Sequence, residues 1–166
     1  MCDFSTVDNY EEINEYLKSP IENKIKFMPL LSRKELNQKI FPNIDILIYP
    51  GFSDSYGFIF PEAASFGIPV LTFNGFARKE LVHDEKSGYV INSTISSIGL
   101  ASPPTLEEID FYIISASMIL TNMISNYKLR KEMIDYSHNL VKSNTGMYSL
   151  YNRNIILKRI YEMSLQ

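Results

Sequence analysis

At 166 residues the chain is long enough for one domain with its own core and too short for two of ordinary size. Apolar residues make up 45% and charged residues 21%, the mix of a folded globular protein, which excludes a disordered chain. A formal net charge of -3 removes the electrostatic case for nucleic acid, and the single cysteine, Cys2, excludes an intrachain disulfide or a cysteine-based metal site. The N-terminus, Met1–Asn9, has no basic cluster leading into an apolar run. The most apolar stretch, Phe111–Leu120, is interrupted by Ser115 and Ser117 and is too short to span a bilayer. A cytoplasmic protein without a transmembrane segment is the expectation.

In chain order, Asp8 with Glu11 forms a capping-box pattern that opens a helix carrying Ile13 and Leu17, and Pro20 stops it. Ile25–Met28 reads as a short strand. Ser32 with Glu35 forms a second capping box, for a small helix ending by Phe41 and Pro42. Ile44–Tyr49 is a nearly continuous apolar run ended by Pro50 and Gly51, the pattern of a strand buried on both faces of a parallel sheet. Phe58–Phe66 forms a short helix with Pro61 in its first turn, and Gly67 suits a left-handed C-terminal cap. Pro69–Phe73 is a second buried strand.

Arg78–His83 is a brief helix, and Gly88–Ile91 an edge-like strand after the turn Asp84–Ser87. A Ser-rich loop follows, from Asn92 to Pro104. Thr105 and Glu108 form a third capping box, opening a helix with Ile109, Ile113, Leu120 and Ile124 along one stripe. Tyr127–Val141 and Tyr148–Met163 read as two further amphipathic helices. Strands alternating with helices through short loops predict an α/β fold, a Rossmann-like parallel sheet with flanking helices and a helical C-terminus. No repeat or linker interrupts the chain, so residues 1–166 are expected to form one domain.

Ligands of open parallel sheets bind beyond the carboxyl ends of the strands. The loop after Tyr49 has the residue types for such a site: Pro50, Gly51, Phe52, Ser53, Asp54, Ser55, Tyr56, Gly57 and Phe58, then a helix carrying Glu62. Gly57 permits a sharp turn and a close ligand approach, and free N–H groups at the helix start would favour a phosphate. The Asp54 and Glu62 carboxylates could both accept hydroxyl hydrogen bonds from one ligand. Taken singly, Asp54 reads as a solvated turn residue and Glu62 as a partner of the helix dipole.

The run Pro50–Gly57 followed by Pro61-Glu62-Ala63-Ala64-Ser65-Phe66-Gly67-Ile68-Pro69-Val70 resembles the C-terminal-domain signature of family 4 glycosyltransferases. That signature is Pro-Ser-x-x-Glu-Gly-Phe-Gly, then Glu-Ala-x-Ala-x-Gly-x-Pro-Val. The resemblance continues through Gly75–Val82, Lys86–Val90 and Leu129–Met133. It implies the donor-binding half of a GT-B fold that holds a nucleotide-diphosphate sugar and needs no metal or other cofactor. With an N-terminal partner domain, a partner chain or a homo-oligomer, such a domain transfers the sugar with retention to a glycan or lipid.

By the same resemblance Glu62 would grip the donor ribose and Asp54 the transferred sugar, as the catalytic pair. The backbone of Ser55, Tyr56, Gly57 and Phe58 would hold the diphosphate and sugar, and Pro29–Ser32 would border the base. Asp54 is one methylene shorter than the family's usual Glu, and Ser55 replaces a glycine. The family's phosphate-neutralising Arg and Lys lie upstream of the matched region, which leaves Arg78 and Lys79 as local cations. The competing reading is a non-catalytic nucleotide-sugar-binding or interaction module. A flavodoxin-like domain with another ligand would not explain the spacing of Asp54, Gly57 and Glu62. His83 and His138 read as helix-lining residues, and Lys128, Arg130 and Lys131 as a solvated face.

Overall fold

A computed structural model of the protein describes residues 26, 28–51, 56–92, 105–143 and 162. The chain divides into two units, Met1–Pro42 and Asn43–Gln166. The helix expected after Asp8, the one across Tyr148–Met163 apart from Glu162, which is helical, and nearly all of the loop from Asn92 to Pro104 lie outside the described residues. Of the strand expected at Ile25–Met28, only Lys26 and Met28 are described, and neither is in a strand.

In the first unit Ser32 opens a helix as its spacing to Glu35 predicts. The Ser32 hydroxyl accepts from the Glu35 N–H (3.3 Å), and the Glu35 carboxylate accepts from the Ser32 N–H (3.1 Å). Two N–H groups that a helix start leaves without partners are thereby satisfied. The helix, α1 (Arg33–Glu35), widens into a π-helical turn at Leu36–Ile40, and a 3-10 turn, Phe41–Asn43, closes the run at Pro42.

The second unit is built on three parallel strands, β1 (Leu47–Tyr49), β2 (Val70–Phe73) and β3 (Gly88–Ile91), in the order β1-β2-β3. The register pairs Tyr49 with Thr72 and Phe73 with Ile91, so the carboxyl ends of all three strands reach one edge. Helix α2 (Ile59–Ser65) joins β1 to β2, and α3 (Arg78–Leu81) joins β2 to β3. Two long helices follow, α4 (Leu106–Ser125) and α5 (Tyr127–Lys142). The expected α/β architecture, a parallel sheet with flanking helices and a helical later part, is the one observed.

Every residue of β2 is buried, including Thr72, whose hydroxyl donates to the Tyr49 carbonyl, as expected for a central strand. β1 departs from that expectation. It is shorter than Ile44–Tyr49, and Ile48 is 47% exposed, because its side chain alternates away from Leu47 and Tyr49 onto a half-open face. Leu71, Phe73 and Ile91 pack with Tyr112 and Met123 of α4 and Met133 of α5 to form a core. The Phe73 and Tyr112 rings lie 4.8 Å apart. Each fully buried side chain of this size contributes about 1.5–3 kcal/mol relative to exposure.

α2 ends as Gly67 predicts. Gly67 has φ +70, its N–H donates to Ala64 O (3.0 Å), and the Ile68 N–H donates to Ala63 O (2.9 Å). That is the paired hydrogen-bond pattern of a Schellman cap. The third capping box also forms, with the Thr105 hydroxyl accepting from Glu108 N–H and the Glu108 carboxylate accepting from Thr105 N–H. The stripe expected along α4 is corrected. Leu120 packs against the core as expected and Ile109 is partly buried. Ile113 and Ile124 are exposed, whereas their chain neighbours Tyr112 and Met123 are buried, so at those two positions the core contact lies one residue back, roughly 100° round the helix. Residues 111–114 are all apolar, and the contact of Tyr112 with Phe73 selects among them. No helix among the described residues is long and apolar enough to cross a membrane.

Candidate functional site

The site is assembled where the parallel strands end. After β1 the chain passes through Pro50 and Gly51, and it is described again from Tyr56, Gly57 and Phe58 into α2. Asp54 and Ser55, the two expected donor contacts between those ends, lie outside the described residues. Tyr56, Gly57, Phe58 and Glu62 are described, and all four sit on or beside the turn that opens α2.

Gly57 has φ +77, and a Cβ there would lie 2.4 Å from the Phe60 ring. Left-handed backbone and lack of space thus both demand glycine at this position. Phe60 is fully buried, and its ring meets the Tyr49 ring edge-on at 5.3 Å and 84°. Gly51 rests against the Tyr49 ring, since a Cβ there would come 3.0 Å from it. Both described ends of the turn are therefore seated on the Tyr49–Phe60 pair. Sequence reasoning missed these two rings as parts of the site. The available signal was an aromatic residue two positions before one glycine and another three positions after the next.

Glu62 lies in the first turn of α2 and is half-buried. Its N–H donates to Phe58 O (3.4 Å), and its carbonyl accepts from the Ser65 hydroxyl (2.6 Å). The Phe60 N–H donates to Gly57 O at 3.0 Å. These two N–H groups are engaged within the turn, and Pro61 has none, which narrows the expectation that the helix start offers free donors to an anion. Tyr56 stacks at a tilt on Phe58, with centroids 4.8 Å apart, and Phe58 is exposed. The turn thus combines a buried left-handed glycine, an exposed ring and a half-buried glutamate, a set suited to a ligand with hydroxyl and anionic groups.

The neighbouring strand end contributes a second turn. Asn74 N–H donates to Ile91 O at 2.7 Å, and Phe76 follows with φ +50. A left-handed aromatic residue is strained, and strain of this kind gathers at binding sites. Of the two candidate cations, Lys79 is exposed and Arg78 is almost wholly buried. Arg78 donates from Nη1 to Phe73 O (3.2 Å), and its guanidinium lies 5.6 Å from the Tyr49 ring centroid.

The remaining sequence candidates have structural roles. His83 Nδ1 lies in hydrogen-bond contact with the Tyr136 hydroxyl (2.7 Å), which ties the end of α3 to α5. His138 packs against Gly67. Lys128 and Lys131 pair along the exposed face of α5 with Glu132 and Asp135. Arg130 differs from its neighbours, donating to the Met123 and Ile124 carbonyls and so capping the C-terminus of α4.

The fold is similar to that of a chain in the crystal structure of the GtfA/B complex, with a TM-score of 0.65 and 14% identity over 94% of this chain. It is also similar to the pneumococcal O-GlcNAc transferase GtfA in complex with UDP and GlcNAc, with a TM-score of 0.61 and 17% identity over 95% of this chain. The chain spans 28% of the length of each of these proteins. No curated protein matches it. In sequence, residues 6–102, more than half of the chain, match the family described as Glycosyl transferases group 1. With the turn from β1 into α2 lying inside that matched region, the chain belongs to the group 1 glycosyl transferases.

Proposed function

We propose that the chain is the donor-binding, C-terminal half of a family 4 glycosyltransferase of the GT-B fold. It binds a nucleotide-diphosphate sugar at the turn between β1 and α2 and, with a partner domain or chain, transfers the sugar with retention to a glycan or lipid. The observation that carries the reading is the Gly57 turn, which stands in left-handed backbone at the carboxyl edge of the sheet with Glu62 one helical turn beyond it. In this reading Glu62 accepts the ribose hydroxyls and Asp54 contacts the transferred sugar. Ser55, Tyr56, Gly57 and Phe58 line the diphosphate and sugar. No metal is required, since backbone donors and fixed positive charge stabilise the leaving diphosphate. We place this activity in the cytoplasm, in polysaccharide biosynthesis.

The similarity to GtfA, whose structure holds UDP and GlcNAc, makes UDP the first nucleotide to test. Isothermal titration with UDP, GDP and their sugars is the experiment. One of the two series binds the wild-type chain, and Glu62→Ala abolishes that binding while leaving the fold intact. Absence of binding in both series refutes the donor reading. A second reading, a binding module without turnover, is favoured by Asp54, one methylene shorter than the Glu usual at the sugar contact. Transferase assays of the chain alone and with a candidate partner separate the two: turnover only with the partner identifies a split enzyme.

A further inference from the structure

Arg78 is the largest of the fully buried side chains among the described residues, with 1% of its surface exposed. A guanidinium does not give up its proton, so the charge is carried into the interior, and that is costly without compensation. The location is specific. Nη1 donates to the carbonyl of Phe73, the last residue of β2. The cation lies over the ring of Tyr49, the last residue of β1. Arg78 therefore fastens together the carboxyl ends of two neighbouring strands. Tyr49 is held from a further direction as well, because the Thr72 hydroxyl donates to its carbonyl at 2.9 Å.

From Tyr49 the contacts lead directly to the candidate site. Its ring supports Gly51 and meets Phe60, and Phe60 fills the space beneath Gly57. Rotation of the Tyr49 ring would shift both seats of the turn together. We propose that Arg78 is a positioning residue for the donor diphosphate, acting through Tyr49 and Phe60 to fix the backbone at Gly51 and Gly57. Its buried charge also adds positive potential at that edge, where low dielectric strengthens it. The inference rests on the donor-site reading. Lysine cannot replace arginine here, since it lacks both the planar face over Tyr49 and the forked donor set.

The test compares diphosphate with monophosphate binding. Wild-type chain, Arg78→Lys and Tyr49→Leu are titrated with UDP and UMP, and with GDP and GMP, well below the melting temperature of each variant. Arg78→Lys is expected to weaken the diphosphate about tenfold and the monophosphate by less than about threefold, since the turn and the charge act on the phosphate end. Tyr49→Leu, which keeps Arg78 and removes the intermediary ring, is expected to show the same selective loss, and it decides the matter should Arg78→Lys fail to fold. A purely structural role would lower the melting temperature and leave the ratio of diphosphate to monophosphate affinity unchanged, which overturns the inference. If the wild type binds a diphosphate in a Glu62-dependent manner and neither variant alters that ratio, this inference alone fails. If the wild type binds none of the four nucleotides, the donor reading fails and takes the inference with it.

Discussion

Gly57 shows how one residue links backbone conformation to the candidate chemistry. Its φ of +77 already penalises a side chain, and the Phe60 ring occupies the place where a Cβ would go. Gly57→Ala should destabilise the fold by about 1–3 kcal/mol from backbone strain and the displaced ring. It should also weaken nucleotide binding more than the stability loss explains, which titration at a temperature where the variant is fully folded would reveal. Ser137 is the opposite case. It is wholly buried on α5, and its hydroxyl has no hydrogen-bond partner among the described residues. Ser137→Ala removes a desolvated polar group and is expected to stabilise by about 1 kcal/mol. A denaturant midpoint moved to lower concentration would contradict this.

At the scale of elements, helix starts were the most legible part of the sequence, because capping is a contact between residues three apart. The Ser32–Glu35 and Thr105–Glu108 boxes both form as their spacing predicts. Thr105→Ala should cost about 1 kcal/mol by removing one partner of the α4 start, measurable as a lower urea midpoint. The α1 box carries a pH dependence. Hydrogen bonds from Ser32 hold the Glu35 carboxyl below its ordinary range, with Lys39 adding to the effect. A carboxylate favoured in the folded state contributes stability that is fully present above the ordinary carboxylate range. That contribution is lost as pH falls through the lowered value. Glu35→Gln should therefore flatten the acid side of a stability profile taken from about pH 6 to about pH 3, and leave the slope near neutrality unchanged.

The phase of α4 was not legible, and the reason is physical. Phe111, Tyr112, Ile113 and Ile114 are consecutive apolar residues, so a period of 3.6 fits several faces equally well. Tertiary contact with Phe73 makes the choice and leaves Phe111, Ile114 and Met118 exposed. The same limit applied at the site. Glu62 and Gly57 could be read from one continuous motif, whereas the roles of Tyr49, Phe60 and Arg78 depend on two strand ends meeting in space. A charged residue in a loop-to-helix segment carries no local signal that it will be buried. Arg78 is recognisable only once Phe73 and Tyr49 are neighbours.

At the scale of the whole molecule, the sheet, the turn and the long helices act together to present one edge, so ligand binding at that edge should be coupled to global stability. A ligand that binds only the folded state raises the unfolding free energy by an amount set by its concentration relative to its dissociation constant. At 100 times that constant the gain is about 2.7 kcal/mol, which for a chain of this length raises the melting temperature by roughly 5–10 °C. Saturating nucleotide diphosphate should produce such a shift in the wild-type chain by differential scanning calorimetry. Glu62→Ala should show none, because the half-buried carboxylate on α2 is the ribose contact in the proposed site. Met118→Ala on the exposed face of α4 should keep the full shift, since it alters neither the core nor the carboxyl edge. An equal shift in the wild type and in Glu62→Ala would mean that the nucleotide binds elsewhere, and the turn after β1 would lose its assignment.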